Sequence, residues 1–371
     1  MSQQPSSRIE FAHVLRGWAA MAVLVSHYYG VFWLKREVAS NLTHTPILPN
    51  IWQTPSFIKW LHAQEMFNWG AYGVAIFFLI SGFVMPFALQ RQQRLEFLVN
   101  RIFRILPVYA IGFTLTLAAL WLASHYYNRE FPYALTDIMI HYIPGIRDLV
   151  GGKSIDGIIW TLEVEIKFYV ICAVFLSLFA KSSLKVFIIP IVLGGIALVV
   201  NQWHTELTTI HFSLARLSCV FCFNAQFIIY IFIGVALNYG YRQEISQHVT
   251  FFMVTGLFLL FLSLWYTNLS IAFFTRWPSY GAAIVTFIMG SKFSHFFESN
   301  RFFDFFANIS YPLYVCHAVA GYVLLRIFLD QGASIGMALT LTTMLSLCCA
   351  WMIHRSVEMP FIKCGKYIVW R

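Results

Sequence analysis

Hydrophobic positions in this chain do not alternate in the short periods of a soluble helix or strand; they run on in long blocks separated by brief polar stretches. A helix needs about 20 apolar residues to cross a ~30 Å hydrocarbon layer. By that measure ten segments qualify: roughly 13–34, 67–90, 105–124, 158–180, 186–202, 218–239, 249–267, 271–291, 311–330 and 335–354. Backbone amides in lipid must be satisfied internally, so these blocks predict helices rather than isolated strands. No interval between them is long enough for a separate soluble domain. The expectation is an all-α integral membrane protein, a single bundle of about ten transmembrane helices over 1–371. Its larger extracytoplasmic loops are expected at about 35–66 and 125–157, and its cytoplasmic tail at about 355–371. The first block lacks a small-residue cleavage site and carries Arg16 and His27, so it reads as retained rather than as a signal peptide.

Composition supports the same class. Of 371 residues 59% are hydrophobic and 11% charged, well outside the range of water-soluble domains. The net charge of +9 is explained by where Lys and Arg fall. With the N-terminus inside, the cytoplasmic segments hold fifteen of them, including Arg8, Arg91, Arg94, Arg242 and Arg371, and the opposite side holds seven. This asymmetry predicts both termini in the cytoplasm, in keeping with an even number of spans, and leaves no call for nucleic acid as a partner. The cysteines sit in apolar blocks or the tail, and Cys219-x-x-Cys222 in a phenylalanine-rich block reads as packing. No disulfide framework and no metal site is expected.

Ionisable groups inside apolar blocks are costly and need a partner or a purpose. Arg16 and His27 are 11 residues apart, which places them within about 20° on one helix face and ~16 Å apart along its axis. Two readings stand: an interface anchor with a satisfied core histidine, or two groups lining one wet cavity. Arg101 and Arg104 lie one turn apart against the apolar start of the third block, just before Pro107. Paired guanidiniums there suit a phosphate-bearing ligand, with topology charge as the rival reading. In "WTLEVEIKFY", Thr161 and Glu165 share a face, while Glu163 has Lys167 four residues on for an intrahelical ion pair. Glu165 must therefore seek a partner from another span. His317 in "NISYPLYVCH" is either structural or a hydrogen-bond partner behind the reacting groups, and His354, Arg355 and Glu358 read as an interface cluster.

Taken in order, Arg16-x10-His27, "FFLISGFVM" at 77–85, Arg101-x-x-Arg104, "WTLEVEIKFY", "ISYPLYVCH" and "VEMPF" at 357–361 resemble the membrane acyltransferase-3 family across nearly the whole chain. Those proteins O-acylate bacterial cell-surface carbohydrates. The resemblance implies a ten-helix bundle with cytoplasmic termini in the bacterial inner membrane, and here a stand-alone member without the esterase-like domain of many relatives. It implies acyl-CoA, most often acetyl-CoA, as donor and a carbohydrate or lipid-linked glycan as acceptor. The family's arginine–histidine pair falls on Arg16 and His27, its paired arginines on Arg101 and Arg104, and its hydroxyl–glutamate motif on Thr161 and Glu165. Two departures are visible. His13 stands where relatives often have an acidic residue, with Glu10 one turn earlier, and Thr161 stands where many have serine.

The expected mechanism follows. Arg16, Arg101 and Arg104 hold the donor's phosphates, and the pantetheine arm runs along the first helix to His27. His27 serves as general base or as acyl carrier, with Glu165 to orient it, Thr161 to bond the substrate, and Glu10, His13 and His317 in support. The competing class is a transporter of a small anionic or glycolipid substrate, in which the same charges line a path.

Overall fold

The computed structural model describes residues 9–63, 67–203, 212–267 and 273–369, and among them there is no strand. Arg8, residues 64–66 of the first large loop, residues 271 and 272, and residues 370 and 371, all within the sequence reading, lie outside the described residues. The principal helices are α1 Glu10–Ser26, α2 Trp69–Leu89, α3 Arg94–Tyr126, α4 Ile159–Val174, α5 Ile188–Gln202, α6 Phe212–Tyr241, α7 Gln247–Thr267, α8 Phe273–Lys292, α9 Arg301–Asn308, α10 Ser310–Cys316, α11 Ala318–Asp330, α12 Ile335–Ile353 and α13 Met359–Val369.

This is a helical membrane protein. Among the described residues six helical stretches are long and apolar enough to span alone: Trp69–Leu89, Arg94–Tyr126, Leu184–Gln202, Ser213–Tyr241, Gln247–Thr267 and Ile335–Ile368. A seventh is the pair α10 and α11, bent by 59° at His317. The expected count of ten is therefore not reached on length and apolarity alone. The other three expected spans correspond to α1, α4 and α8. The first two are 17 and 16 residues long, and α1 runs on through a π-helical turn, His27–Val31, to Leu34. A π-helical turn interrupts the first of these, and Glu163, Glu165 and Lys167 lower the apolarity of α4.

Burial sorts the helices into a centre and a rim. The most apolar stretch of Ser213–Tyr241 is 83% buried and that of Trp69–Leu89 72%, against 28% for Leu184–Gln202 and Ile335–Ile368. α2 and α6 are thus the axis of the bundle, and α5, α7 and α12 present apolar side chains outward. Two glycines allow the central contact: a Cβ on Gly82 would stand 1.9 Å from the Ile231 carbonyl oxygen, and one on Gly234 2.2 Å from that of Leu79. Small residues at such crossings let helix backbones touch, and dispersion replaces the hydrophobic effect that lipid cannot supply. α1 packs along α2 and α9, while α3 is flanked by α10, α11 and α13.

The two larger loops hold short helices of their own, Arg36–Thr43 and Ser56–Leu61 in one, Leu135–His141 and Arg147–Val150 in the other. They touch each other, with Arg129 donating to the His44 carbonyl at 3.0 Å. Glu163 corrects the sequence reading. Its carboxylate takes both arms of Arg147 at 3.0 and 2.5 Å, and Lys167 reaches Asp148 at 2.8 Å instead. A bidentate guanidinium from the loop outcompetes an i,i+4 lysine because the fork fits the carboxylate plane. The loop is thereby fastened to α4.

Candidate active site

A cavity of about 120 Å³ lies between α1, α2, α3, α4 and the α9–α10 corner. Arg16, Arg101, Arg104, Thr161 and Glu165 all line it, together with Glu358. Residues from the first helix to the far end of the chain, Arg16 to Glu358, thus converge on one space. Arg101 and Arg104 reach it because they occupy one face of α3, and Arg16 because it faces α9 and α10 from α1.

Charge within the cavity is unbalanced: three guanidiniums stand against two carboxylates, and among the described residues no ion pair joins them. Glu165 accepts instead from the Ser81 hydroxyl at 2.5 Å and from the hydroxyl of Tyr169, one turn along α4. Glu358 binds His354 Nδ1 at 2.7 Å across a π-helical turn, His354–Glu358, and is buried. Of the cluster expected there, Glu358 stands on the cavity wall. Arg101 rests its guanidinium 5.3 Å from the Phe97 ring centre and 5.4 Å from that of Tyr169, with Nε buried and without a hydrogen-bond partner. Aromatic faces hold the planar cation in place while leaving donors for a ligand.

Thr161 is engaged by protein. Its hydroxyl donates to the Ile158 carbonyl at 3.0 Å, so at 2.8 Å it can only accept from the Tyr314 hydroxyl. Tyr314 lines the cavity, and its ring centre is 6.1 Å from that of His317. His317 is buried and meets His27 edge-on, ring centres 4.7 Å apart. His27 itself is partly exposed and absent from the cavity wall; its Nδ1 is 2.6 Å from the Tyr322 hydroxyl. Two expectations change accordingly. Arg16 lines the cavity and His27 does not; Tyr314 on the cavity wall and His317 behind it link the cavity to His27 through a chain of neighbouring rings. Glu165 does not orient His27; Tyr322 does, since the bend at His317 carries α11 across the start of the π-helical turn.

At the end of the cavity beside the loop that precedes α4, Tyr109 forms a buried string with His141 and Asp156. Ile155 N–H donates to His141 Nε2 at 3.0 Å, which leaves Nδ1 of the neutral ring as donor to the Tyr109 oxygen at 2.8 Å. Tyr109 in turn donates to Asp156 at 3.1 Å. The other Asp156 oxygen caps α4, accepting from Ile158 N–H and Ile159 N–H at 3.0 Å each. Burial pushes the Asp156 carboxyl up to about 6, against the pull of these donors. Burial, with Arg147 nearby, takes His141 down to about 3.

A family model described as an acyltransferase domain, acyltransferase-3, matches residues 9–355. The chain belongs to the acyltransferase-3 family. Its chemistry is acyl transfer. No curated protein and no solved structure matches the chain. In this acyltransferase-3 protein Glu10 is exposed at the start of α1, and His13 Nε2 lies 3.2 Å from Asp304 of α9. Sequence reasoning missed Ser81, Tyr169, Tyr314 and Tyr322, and read Glu358 only as part of an interface cluster. Tyr169 had a signal, the i,i+4 spacing from Glu165. Tyr322 had none, because its partner lies 295 residues away.

Proposed function

We propose that this acyltransferase moves an acyl group, acetyl in the first instance, from cytoplasmic acyl-CoA to a hydroxyl of a cell-surface or lipid-linked carbohydrate in the bacterial inner membrane. The observation that carries this reading is the convergence of Arg16, Arg101 and Arg104 on one cavity without a carboxylate ion pair, in a chain of an acyltransferase family. Guanidiniums left with charge to spare suit phosphate, which the coenzyme carries at the end remote from its thioester. The seven long or bent spans together with α1, α4 and α8 make ten crossings, with both termini on the cytoplasmic side as the Lys and Arg asymmetry favours.

In this reading the phosphates dock on the three arginines and the pantetheine arm runs toward His27, moving Tyr314 aside. The ~16 Å between Arg16 and His27 along α1 suits such an arm. His27 then handles the acyl group or the hydroxyl proton. With Nδ1 engaged by Tyr322, Nε2 is the nitrogen left for chemistry. Thr161 acts by holding Tyr314, and Glu165 sets the hydroxyls of Ser81 and Tyr169 in the donor cavity.

The test compares O-acyl groups on surface glycans from cells making the wild type and His27→Ala, with membrane insertion of both checked. Loss of the acyl groups in a well-inserted variant is expected. Unchanged acylation removes His27 from the chemistry, and purified wild type that consumes no acetyl-CoA with extracted glycan present overturns the donor assignment.

A further inference from the structure

His317 has a chemical state that its hydrogen bonds define. Its Nδ1 lies 2.8 Å from the Leu313 carbonyl oxygen and 3.0 Å from that of Tyr314. Carbonyls only accept, so Nδ1 carries the hydrogen, and in the neutral ring Nε2 presents a lone pair. That nitrogen is buried and has no hydrogen-bond partner among the described residues, and the residue as a whole is 1% exposed. An unsatisfied buried acceptor costs about 1–3 kcal/mol, so its retention asks for a use. Of the rings around that of His317, His27 has its centre nearest, at 4.7 Å, against 6.1 Å for Tyr314 and 6.2 Å for Tyr28.

The backbone is built around this pair. His317 sits at the 59° break between α10 and α11, and His27 opens a π-helical turn, a backbone form often found at functional sites. Tyr28 donates to the His317 carbonyl at 2.8 Å and is held in turn by Ser346 at 2.6 Å, which fixes the break against α1 and α12. An imidazole with one nitrogen pinned to backbone acceptors and the other left bare is arranged as a base.

We propose that His317 is the general base toward the acceptor hydroxyl, and that His27 is the acyl carrier. The inference rests on the acyl-CoA reading above. His27 Nε2 attacks the thioester carbon; the C–S bond breaks and its electron pair leaves with the coenzyme as thiolate. The resulting acyl-imidazolium keeps its Nδ1–H on the Tyr322 oxygen. The acceptor hydroxyl then attacks the acyl carbon, the C–N bond breaks and returns its pair to His27 Nε2. The thiolate takes a proton from water and departs as thiol before the acceptor arrives; the hydroxyl proton goes to His317 Nε2 and from there to water. Division of the work between two imidazoles lets donor and acceptor use the site in turn.

The experiment gives radiolabelled acetyl-CoA to the purified wild type, His317→Gln and His27→Ala, and follows label on the protein after rapid quenching. Deacylated surface glycan extracted from cells lacking the protein is then added. His317→Gln is expected to take up label at His27 as the wild type does, and to discharge it to glycan at least about 100-fold more slowly, the scale of a lost general base. His27→Ala takes up none. In His317→Ala, discharge is expected to recover when imidazole is added to the buffer, a rescue that a structural role would not produce. Discharge from His317→Gln at the wild-type rate overturns the inference, as does loss of labelling together with discharge in both His317 variants without imidazole rescue. A wild type that neither labels nor consumes acetyl-CoA overturns the donor reading itself, which is a separate outcome.

Discussion

At the residue scale, the roles divide by what each side chain is free to bond. Arg101 is held by aromatic faces and keeps donors available, so Arg101→Ala is expected to raise the KM for acetyl-CoA about 10-fold or more while leaving kcat nearly unchanged. A charge-assisted hydrogen bond is worth about 1.5–3 kcal/mol, and each 1.4 kcal/mol is a factor of ten. Initial rates across donor concentrations check it, and an equal fall in kcat at saturation would count against phosphate anchorage. Thr161 and Tyr314 share one hydrogen bond, with Tyr314 the donor. Thr161→Val and Tyr314→Phe should therefore change turnover in the same direction, and the double variant should show clearly less than the sum of the two effects. Full additivity would mean that Thr161 works on the substrate instead.

Helices set the next scale, and the start of α4 is its most informative point. Asp156 caps that helix while buried beside Tyr109 and His141, so the first turn carrying Thr161 depends on a carboxyl that burial disfavours in its charged form. The sign follows from the raised value. The folded protein holds this proton more tightly than the unfolded chain, so Asp156 supports stability at low pH and that support is lost as pH rises through about 6. Asn caps as well as Asp and does not titrate. Melting temperatures of the wild type and Asp156→Asn in detergent should diverge in favour of the variant as pH rises through about 6. His141, lowered to about 3 by burial, works in the other direction at acid pH, and is present in both proteins. Parallel melting curves at every pH would remove Asp156 from this balance.

Across the whole molecule, one arrangement accounts for the rest: α2 and α6 form a packed axis, and the arginine-lined cavity and the His27–His317 pair lie on either side of Tyr314. For this to connect a cytoplasmic donor to a surface acceptor, the loop after α3 must face outward and the turn after α6 inward. Cysteine introduced at Asn128 in a cysteine-free background should react in intact cells with a maleimide that does not cross membranes. Cysteine at Gln243 should react only after the cells are opened. Both positions are exposed turn residues with left-handed backbones. The reverse pattern would invert the topology and place the arginines on the wrong side for cytoplasmic acyl-CoA.

What the amino-acid order settled alone was everything that depends on transfer between water and lipid or on helical spacing. Long apolar blocks announced a helical membrane protein because lipid leaves backbone amides no other partner. The lone charges within them marked Arg16, Arg101, Arg104 and Glu165 as residues in need of an explanation, since each is costly in lipid. Motif order pointed to the family. Tertiary structure decided the pairings. Glu163 went to Arg147 and not to Lys167, Glu165 to Ser81 and Tyr169 and not to His27, and His27 to Tyr322 from the far end of the chain. It also placed Tyr314 and His317 where an open passage was expected. Hydrogen bonds fall off within an ångström or so of their ideal length. Their partners are therefore chosen by helix bends and π-helical turns that displace a side chain by that much, and hydropathy, an average over some 20 residues, is blind to such shifts.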